Sequence, residues 1–161
     1  MSGNGFIPLE WNELSNEEMI SRAKQLFQQM DARRTTRHFS NRDVPRELIE
    51  LAIKSASTAP SGAHLQPWKF IAVSNQELKQ KMREAAEEEE RKTYGQRMPE
   101  AWKEVLDPLG TDAIKEHMTD APWVVVLFRQ TKRIRPNGEE GPTYYSTESC
   151  GIAAGMFIHA I

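Results

Sequence analysis

Several features that mark other classes of protein are scarce or missing in this chain. Its 161 residues include one cysteine, Cys150, which excludes an internal disulfide and a cysteine-based metal cluster. Positive charge is not in excess, because 21 Lys and Arg residues face 23 Asp and Glu residues, so a nucleic-acid or anionic membrane partner is not indicated. The longest apolar stretch, 150–161, is too short to span a bilayer. With no signal peptide visible at the N-terminus, we expect a cytoplasmic protein.

The chain also lacks internal repeats and linkers rich in proline or glycine, which predicts a single domain over residues 1–161. Apolar periodicity and capping residues predict helices wrapped around a small sheet. The expected helices lie near 16–32, from about 45, near 76–94, near 111–119 and from about 144 to the end. The expected strands are 68–73 and 123–128. The segments around Pro99 and Trp102 and over 129–141 are expected to be loops. Because the last helix ends without a cap at Ile161, we expect a truncated C-terminus.

A dense cluster of guanidinium groups follows the first predicted helix. Arg33-Arg34-Thr35-Thr36-Arg37 places three arginines and two hydroxyls within five positions. Guanidinium forks match phosphate oxygens two at a time, and this geometry favours Arg over Lys. The cluster therefore predicts a phosphate-binding segment, and a solvated helix end is the alternative interpretation.

A loop of small residues precedes the first predicted strand. Its sequence, Thr58-Ala59-Pro60-Ser61-Gly62-Ala63-His64, lets backbone N–H groups approach a ligand closely because the side chains add little bulk. Taken with the arginine cluster, the loop indicates a phosphorylated cofactor.

These two segments, together with the run Glu87–Glu90 that leads to Tyr94 and the later pairs Tyr144-Tyr145 and Glu148-Ser149, resemble a known family. They are similar to the iodotyrosine deiodinases, the reductive-dehalogenase branch of the FMN-dependent nitroreductase superfamily. The arginine cluster alone would indicate the superfamily; the acidic helix, its tyrosine and a later lysine indicate the branch. The resemblance runs from roughly Lys24 to the end, and the absence of an anchor segment resembles the soluble bacterial-type members.

The resemblance implies an α+β fold, a three-layer α/β/α sandwich that forms an interlocked homodimer with FMN in a cleft between protomers. It also implies roles for individual residues. The FMN phosphate and ribityl chain would be held by Arg33, Arg34, Thr35 and Arg37, and the isoalloxazine would lie along Pro60, Ser61 and Gly62. The threonine beside flavin N5 would fall beyond Ile161, so no catalytic side chain is assigned within the chain.

The resemblance further implies how a halotyrosine is bound. The backbone N–H of Ala63 would face the phenolate, and Glu90, Tyr94 and Lys115 would hold the amino-acid end. The chemistry is consistent, since a zwitterion needs an anion for its ammonium and cationic or hydroxyl donors for its carboxylate. Glu90 and Tyr94 are four positions apart and share a helix face. Read alone, these residues are typical of a solvated surface, and a closing lid is the functional interpretation.

The function implied is an oxidoreductase that removes halide from halogenated tyrosines with electrons from FMN, which itself needs an electron donor. Two alternatives remain open at this point. One is a general nitroreductase or flavin reductase with a promiscuous site, and the other is a non-catalytic flavin- or tyrosine-binding protein.

Other chemically active side chains carry weaker hypotheses. Cys150 lies on the apolar last helix, which predicts a buried, unreactive thiol. His64 is expected to serve a hydrogen-bonding role in its loop rather than act as a base. No metal site is predicted, because His38 and His117 have no companions at metal-ligand spacing.

Overall fold

The structure is a computed structural model that describes residues 7–161. The chain divides into two compact units, Met1–Thr35 and Thr36–Ile161, and each is described separately. The prediction of a single domain therefore stays a prediction. Among the described residues, no helix is both long enough and apolar enough to span a membrane.

The first unit contains one helix, α1 (Asn16–Ala32), at the predicted position. It begins where Ser15 Oγ accepts a hydrogen bond from the Glu18 N–H at 3.2 Å, which satisfies an N–H that the first turn leaves unpaired. Glu17 and Glu18 place negative charge at the positive end of the helix dipole. The helix ends at Arg33, whose extended backbone (ψ 136°) leads the chain away.

The second unit holds five helices and four strands among the described residues. In chain order these are α2 (Arg46–Ser57), β1 (Trp68–Val73), α3 (Gln76–Lys92), α4 (Glu100–Leu106), α5 (His117–Asp120), β2 (Val124–Arg129), β3 (Lys132–Ile134), β4 (Glu140–Pro142) and α6 (Ser146–Ala160). Short 3₁₀ turns occupy Gly62–His64 and Asp107–Leu109, and a π-helical turn, Thr93–Arg97, follows α3.

The centre of this unit is a two-stranded antiparallel sheet with α6 packed on it. Trp68 of β1 lies opposite Arg129 of β2, and Val73 lies opposite Val124. Helix α6 contacts both strands and packs against α2. The buried residues at these contacts are small, Ala52 and Ala56 on α2 and Ala153 on α6, which lets the two helices approach closely.

Three sequence predictions are wrong in this region, each for a local reason. The segment around Trp102 forms α4 because Pro99 caps a helix there rather than continuing a loop. Only His117–Asp120 is helical in the segment predicted as a helix near 111–119, since the Asp112 carboxylate accepts from the Ile114 N–H at 2.8 Å and forms a competing turn. The predicted surface loop over 129–141 contains the hairpin of β3 and β4.

The sequence does contain a signal for this hairpin, although the segment was predicted to be a loop. Asn137-Gly138 is a dipeptide typical of tight hairpin turns, and Gly138 adopts φ +84°. The turn is closed by the Gly138 N–H, which donates to the Arg135 carbonyl at 2.9 Å.

Two surfaces of the second unit are left open among the described residues. Strand β2 is half-buried over Val124–Leu127, and Phe128 is 51% exposed, so the described residues do not cover both of its faces. A Cβ on Gly151 or Gly155 would meet nothing within 4 Å among the described residues. The α6 face that carries these glycines is therefore open with respect to the described part of the chain.

Candidate functional site

The arginine cluster spans the boundary between the two units. Arg33 and Arg34 follow α1, and Arg34 Nη1 donates to the carbonyls of Asp31 and Arg33, the latter at 2.8 Å. Thr35 closes the first unit, while Arg37 belongs to the second. All four of the cluster residues assigned to a phosphate are exposed. Their convergence on one phosphate stays a prediction.

Arg37 lines a polar cavity of about 230 Å³ in the second unit. Lys115, His38 and His117 lie on the same cavity, and so do three acidic residues, Asp112, Glu116 and Asp120. Burial, followed by the charges of Lys115 and Arg37, lowers the pKa of His117. The cavity therefore offers both basic and acidic side chains to a polar ligand.

The small-residue loop packs against the start of α6. Ser61 Oγ accepts from the Gln66 N–H at 2.9 Å, which closes the loop on itself. The Gly62 N–H donates to Ser149 Oγ at 3.4 Å, which joins the loop to α6. Pro60 and Ala63 are exposed, so one side of the loop is available to a ligand.

Gly62 is required by this packing. A Cβ on Gly62 would stand 2.6 Å from the Tyr144 carbonyl oxygen and 2.9 Å from Tyr145 Cδ2. No side chain fits in that space without movement of the backbone. The tyrosine pair therefore fixes the position of the loop.

Backbone strain concentrates at the same place. Among the described residues, four other than glycine have positive φ: Ala63 (51°), His64 (53°), Gln66 (46°) and Tyr145 (49°). Ala63 and His64 lie in the small-residue loop, Gln66 lies two residues beyond it, and Tyr145 contacts that loop through Gly62. Left-handed residues of this kind cost free energy and tend to occur at ligand sites. Sequence reasoning missed this signal because only the backbone angles reveal it.

The three residues expected to hold the amino-acid end of a substrate lie around one loop. Lys115 Nζ is 3.4 Å from Glu90 Oε2, and the two side chains are 21% and 38% exposed. Tyr94, in the π-helical turn, donates through its hydroxyl to Thr111 Oγ1 at 3.0 Å. Lys115 Nζ also donates to the Asp112 carbonyl at 2.6 Å. The structure thus pairs the Glu90 carboxylate with the Lys115 ammonium and holds the Tyr94 hydroxyl against Thr111 of the same loop, while the role of all three in binding substrate stays a prediction.

A second set of charges beside this group was not assigned from the sequence. Glu87 is 15% exposed at its side chain and pairs with Arg83 at 2.6 Å. Lys79 is 2% exposed, and its Nζ donates to the Ala121 carbonyl at 2.6 Å. The spacing of four residues along α3 was a visible signal, but the sequence does not show which face of a charged helix is buried.

The predicted burial of Cys150 is confirmed, and its lack of reactivity stays a prediction. The thiol is 7% exposed and donates to the Pro67 carbonyl at 3.2 Å. Burial raises the pKa of Cys150, a shift that favours the protonated thiol.

The family model described as "Nitroreductase family" matches residues 30–160, and the chain therefore belongs to the nitroreductase family. Among solved structures, an oxidized iodotyrosine deiodinase bound to FMN and 3-iodo-L-tyrosine has a TM-score of 0.72 and 29% identity, over 84% of this chain and 67% of that one. An FMN-dependent nitroreductase from Clostridium difficile R20291 has a TM-score of 0.59 at 18% identity, over 86% of this chain and 55% of that one, and so shares the fold. The predicted nitroreductase fold is confirmed.

Comparison with individual relatives places the chain more narrowly within that family. The iodotyrosine deiodinase of Haliscomenobacter hydrossis is 47% identical over 156 residues, 97% of this chain and 70% of the relative. That of Hydra vulgaris is 45% identical over 97% of this chain and 57% of its own length, and the human iodotyrosine deiodinase 1 is 37% identical over 96% and 54%. The chain thus groups with the iodotyrosine deiodinases and spans between about half and 70% of their length.

Replacing Gly62 by alanine should destabilise the second unit. The added Cβ must displace the Tyr144 carbonyl, and a backbone atom cannot move aside as a flexible side chain can. Overpacking of this kind costs about 1–3 kcal/mol, which should lower the Tm by several degrees. The Tm is measured by thermal unfolding, with circular dichroism as the signal.

Gly95→Ala is the matched control, because a Cβ at that position meets nothing within 4 Å. Its Tm should stay at or slightly above that of the parent chain. Equal stability of the Gly62 and Gly95 variants would show that the tyrosine pair does not restrict the loop.

Proposed function

We propose that this protein is an FMN-dependent reductive dehalogenase that converts halogenated tyrosines to tyrosine and halide. The observation that carries the proposal is the group formed by Glu90, Tyr94 and Lys115. A free amino acid is recognised by a carboxylate for its ammonium and by cationic or hydroxyl donors for its carboxylate. The similarity to iodotyrosine deiodinases supports the same substrate class.

FMN fits the residues that are available to hold it. Guanidiniums of the arginine cluster suit its phosphate, and all four cluster residues assigned to it are exposed and therefore accessible. The exposed side of the loop at Pro60 and Ala63 offers a flat, small-residue surface for the flavin ring, with Ser61 and Gly62 fixing the loop behind it. When bound and reduced, FMN supplies the two electrons that, with a proton, replace the carbon–halogen bond by a carbon–hydrogen bond.

The chain's own residues contribute orientation and charge. The Ala63 N–H is assigned to the phenolate oxygen, where it favours the ionised phenol and fixes the ring. Glu90 would accept from the substrate ammonium, and Tyr94 and Lys115 would donate to its carboxylate. Because Lys115 and Glu90 pair with each other without substrate, binding a zwitterion exchanges one ion pair for two.

The proposal includes a homodimer with the active site between protomers. The α6 face with Gly151 and Gly155 is open, and Ile152 and Ile158 on the same helix are 45% and 46% exposed. An apolar cleft of about 960 Å³ that reaches Ile161 adds to the unpartnered surface. Apolar surface of this extent favours association with a second copy. We also propose, from the sequence, that the protein is cytoplasmic and that an external electron donor reduces the flavin.

One preparation tests the function. The purified protein, reconstituted with FMN, should show the visible absorbance of a bound flavin and, after reduction with dithionite, release iodide from 3-iodotyrosine. Sedimentation of the same sample should show a dimer at micromolar concentration. Strong activity on nitroarenes with none on halotyrosines would favour a general nitroreductase, and failure to bind flavin would contradict the enzyme altogether. A stable FMN-loaded monomer would contradict the dimer.

A further inference from the structure

One face of α3 contacts the segment 115–121 over three successive helical turns. Lys79, Arg83 and Glu87 are spaced four residues apart and therefore share that face. Lys79 Nζ donates to the Ala121 carbonyl at 2.6 Å and to the Thr119 carbonyl at 3.3 Å. Its ammonium is buried, so these carbonyls replace the water it has lost.

The middle turn is held by a side-chain contact. Arg83 Nη1 donates to Thr119 Oγ1 at 3.0 Å, and its Nε donates to Glu87 Oε1 at 2.6 Å. The guanidinium thus joins the segment to the carboxylate one turn further along α3. Planar donor geometry allows Arg to serve both acceptors at once.

Glu87 then binds the backbone of Lys115 itself. Its Oε1 accepts the Lys115 N–H at 2.9 Å, in addition to the Arg83 bond. These contacts, the Lys115 hydrogen bond first and Arg83 next, lower the pKa of Glu87, so the carboxylate stays ionised. The side chain is only 15% exposed, which limits competition from water.

The result is that Lys115 is held at both ends by α3. Its backbone N–H is fixed by Glu87, and its ammonium lies 3.4 Å from Glu90, three residues further along the helix. Rotation of the loop at Lys115 would break the first contact and withdraw the ammonium from the second. The position of the ammonium therefore depends on a residue that does not face the substrate.

We propose that Glu87 and Arg83 are positioning residues that set Lys115 in place for the carboxylate of the amino-acid substrate, an inference that rests on the proposed function. They act through the Lys115 backbone and do not touch the substrate. Their effect is specific to substrates that carry an amino-acid group.

The test compares Glu87→Gln with the control Glu88→Gln in the FMN-loaded full chain. Both variants remove one carboxylate charge from α3, but Glu88 is 65% exposed, and the ion pair found for it among the described residues is with Lys92, at 2.7 Å. For Glu87→Gln we expect the KM for 3-iodotyrosine to rise about tenfold, the scale of a lost charged hydrogen bond, with kcat changed much less. The Glu88→Gln variant should have the same KM and kcat for 3-iodotyrosine as the parent chain.

Two further readouts separate positioning from a general structural role. Turnover of 2-iodophenol, which has no carboxylate to bind, should be the same in the Glu87 and Glu88 variants. Arg83→Lys should restore part of the affinity that Arg83→Gln loses, because Lys keeps the charge beside Glu87 but not the second bond to Thr119. If Glu87→Gln does not fold, comparison of the Arg83→Lys and Arg83→Gln variants tests the same positioning role.

The outcomes distinguish this inference from the proposed function. If the parent chain dehalogenates 3-iodotyrosine and Glu87→Gln has an unchanged KM, the positioning role is wrong while the function stands. An equal loss on 2-iodophenol and 3-iodotyrosine would also overturn it. If the parent chain neither binds nor converts 3-iodotyrosine, the proposed function and the positioning role both fail.

Discussion

Glu90→Gln should weaken halotyrosine binding by roughly 10- to 100-fold while leaving FMN content and dithionite reduction of the flavin unchanged. The substitution keeps the size of the side chain but removes the anion that would accept from the substrate ammonium. It also removes the partner of Lys115, which is 3.4 Å away. Titration of 3-iodotyrosine against the bound flavin's fluorescence measures the affinity, with Glu88→Gln as the exposed control.

The role of the amino-acid group can also be tested by changing the substrate instead of the protein. A halophenol without the amino-acid group should bind more weakly and turn over more slowly than a halotyrosine, because binding energy from the remote group helps to close the site. The exposed apolar residues Trp102, Val105 and Leu109 on and after α4 are suited to such a closing element. If halophenols react as fast as halotyrosines, or if the Glu90 variant keeps full affinity, the clamp of Glu90, Tyr94 and Lys115 is wrong.

Arg37→Ala should reduce FMN affinity by about 2–3 kcal/mol, which corresponds to roughly 30- to 150-fold. The physical reason is the loss of a charged, two-pronged donor to the phosphate. Arg37→Lys should recover only part of the affinity, since an ammonium cannot form the same paired contact. Equilibrium titration of the apoprotein with FMN gives each dissociation constant.

Arg42→Ala is the matched control, because Arg42 is exposed in the same loop and its side chain makes no hydrogen bond or ion pair found among the described residues. It should bind FMN as the parent chain does. Full flavin occupancy in a combined Arg33→Ala and Arg37→Ala variant would rule out the phosphate role of the cluster.

The sequence predicted those elements whose ends carry their own chemical signals. Helices α1 and α3 start at Ser15 and Asn75, whose side chains accept backbone N–H groups of the first turn. The strand at Trp68–Val73 was recognisable from its β-branched and aromatic residues. In contrast, α5 is only four residues long, and a competing turn at Asp112 outweighed its apparent periodicity.

The sequence named candidate site residues but not the residues that support them. Family resemblance pointed to Glu90 and Lys115, which lie 25 positions apart and meet only through the tertiary fold. It did not separate Glu87 from the acidic residues that follow it, although Glu87 is largely buried and Glu88 is exposed. Burial of that kind depends on how the helix is rotated against its neighbours, which one charged stretch does not encode.

The buried thiol of Cys150 gives this protein a reporter of its own internal motion. Its hydrogen bond to the Pro67 carbonyl joins α6 to the residue just before β1, so a reagent reaches the sulfur only when those two elements separate. Because the sequence holds one cysteine, any labelling signal comes from that one place. The rate of alkylation under native conditions therefore measures how often α6 lifts from the sheet, and whether a ligand bound at the neighbouring loop slows it.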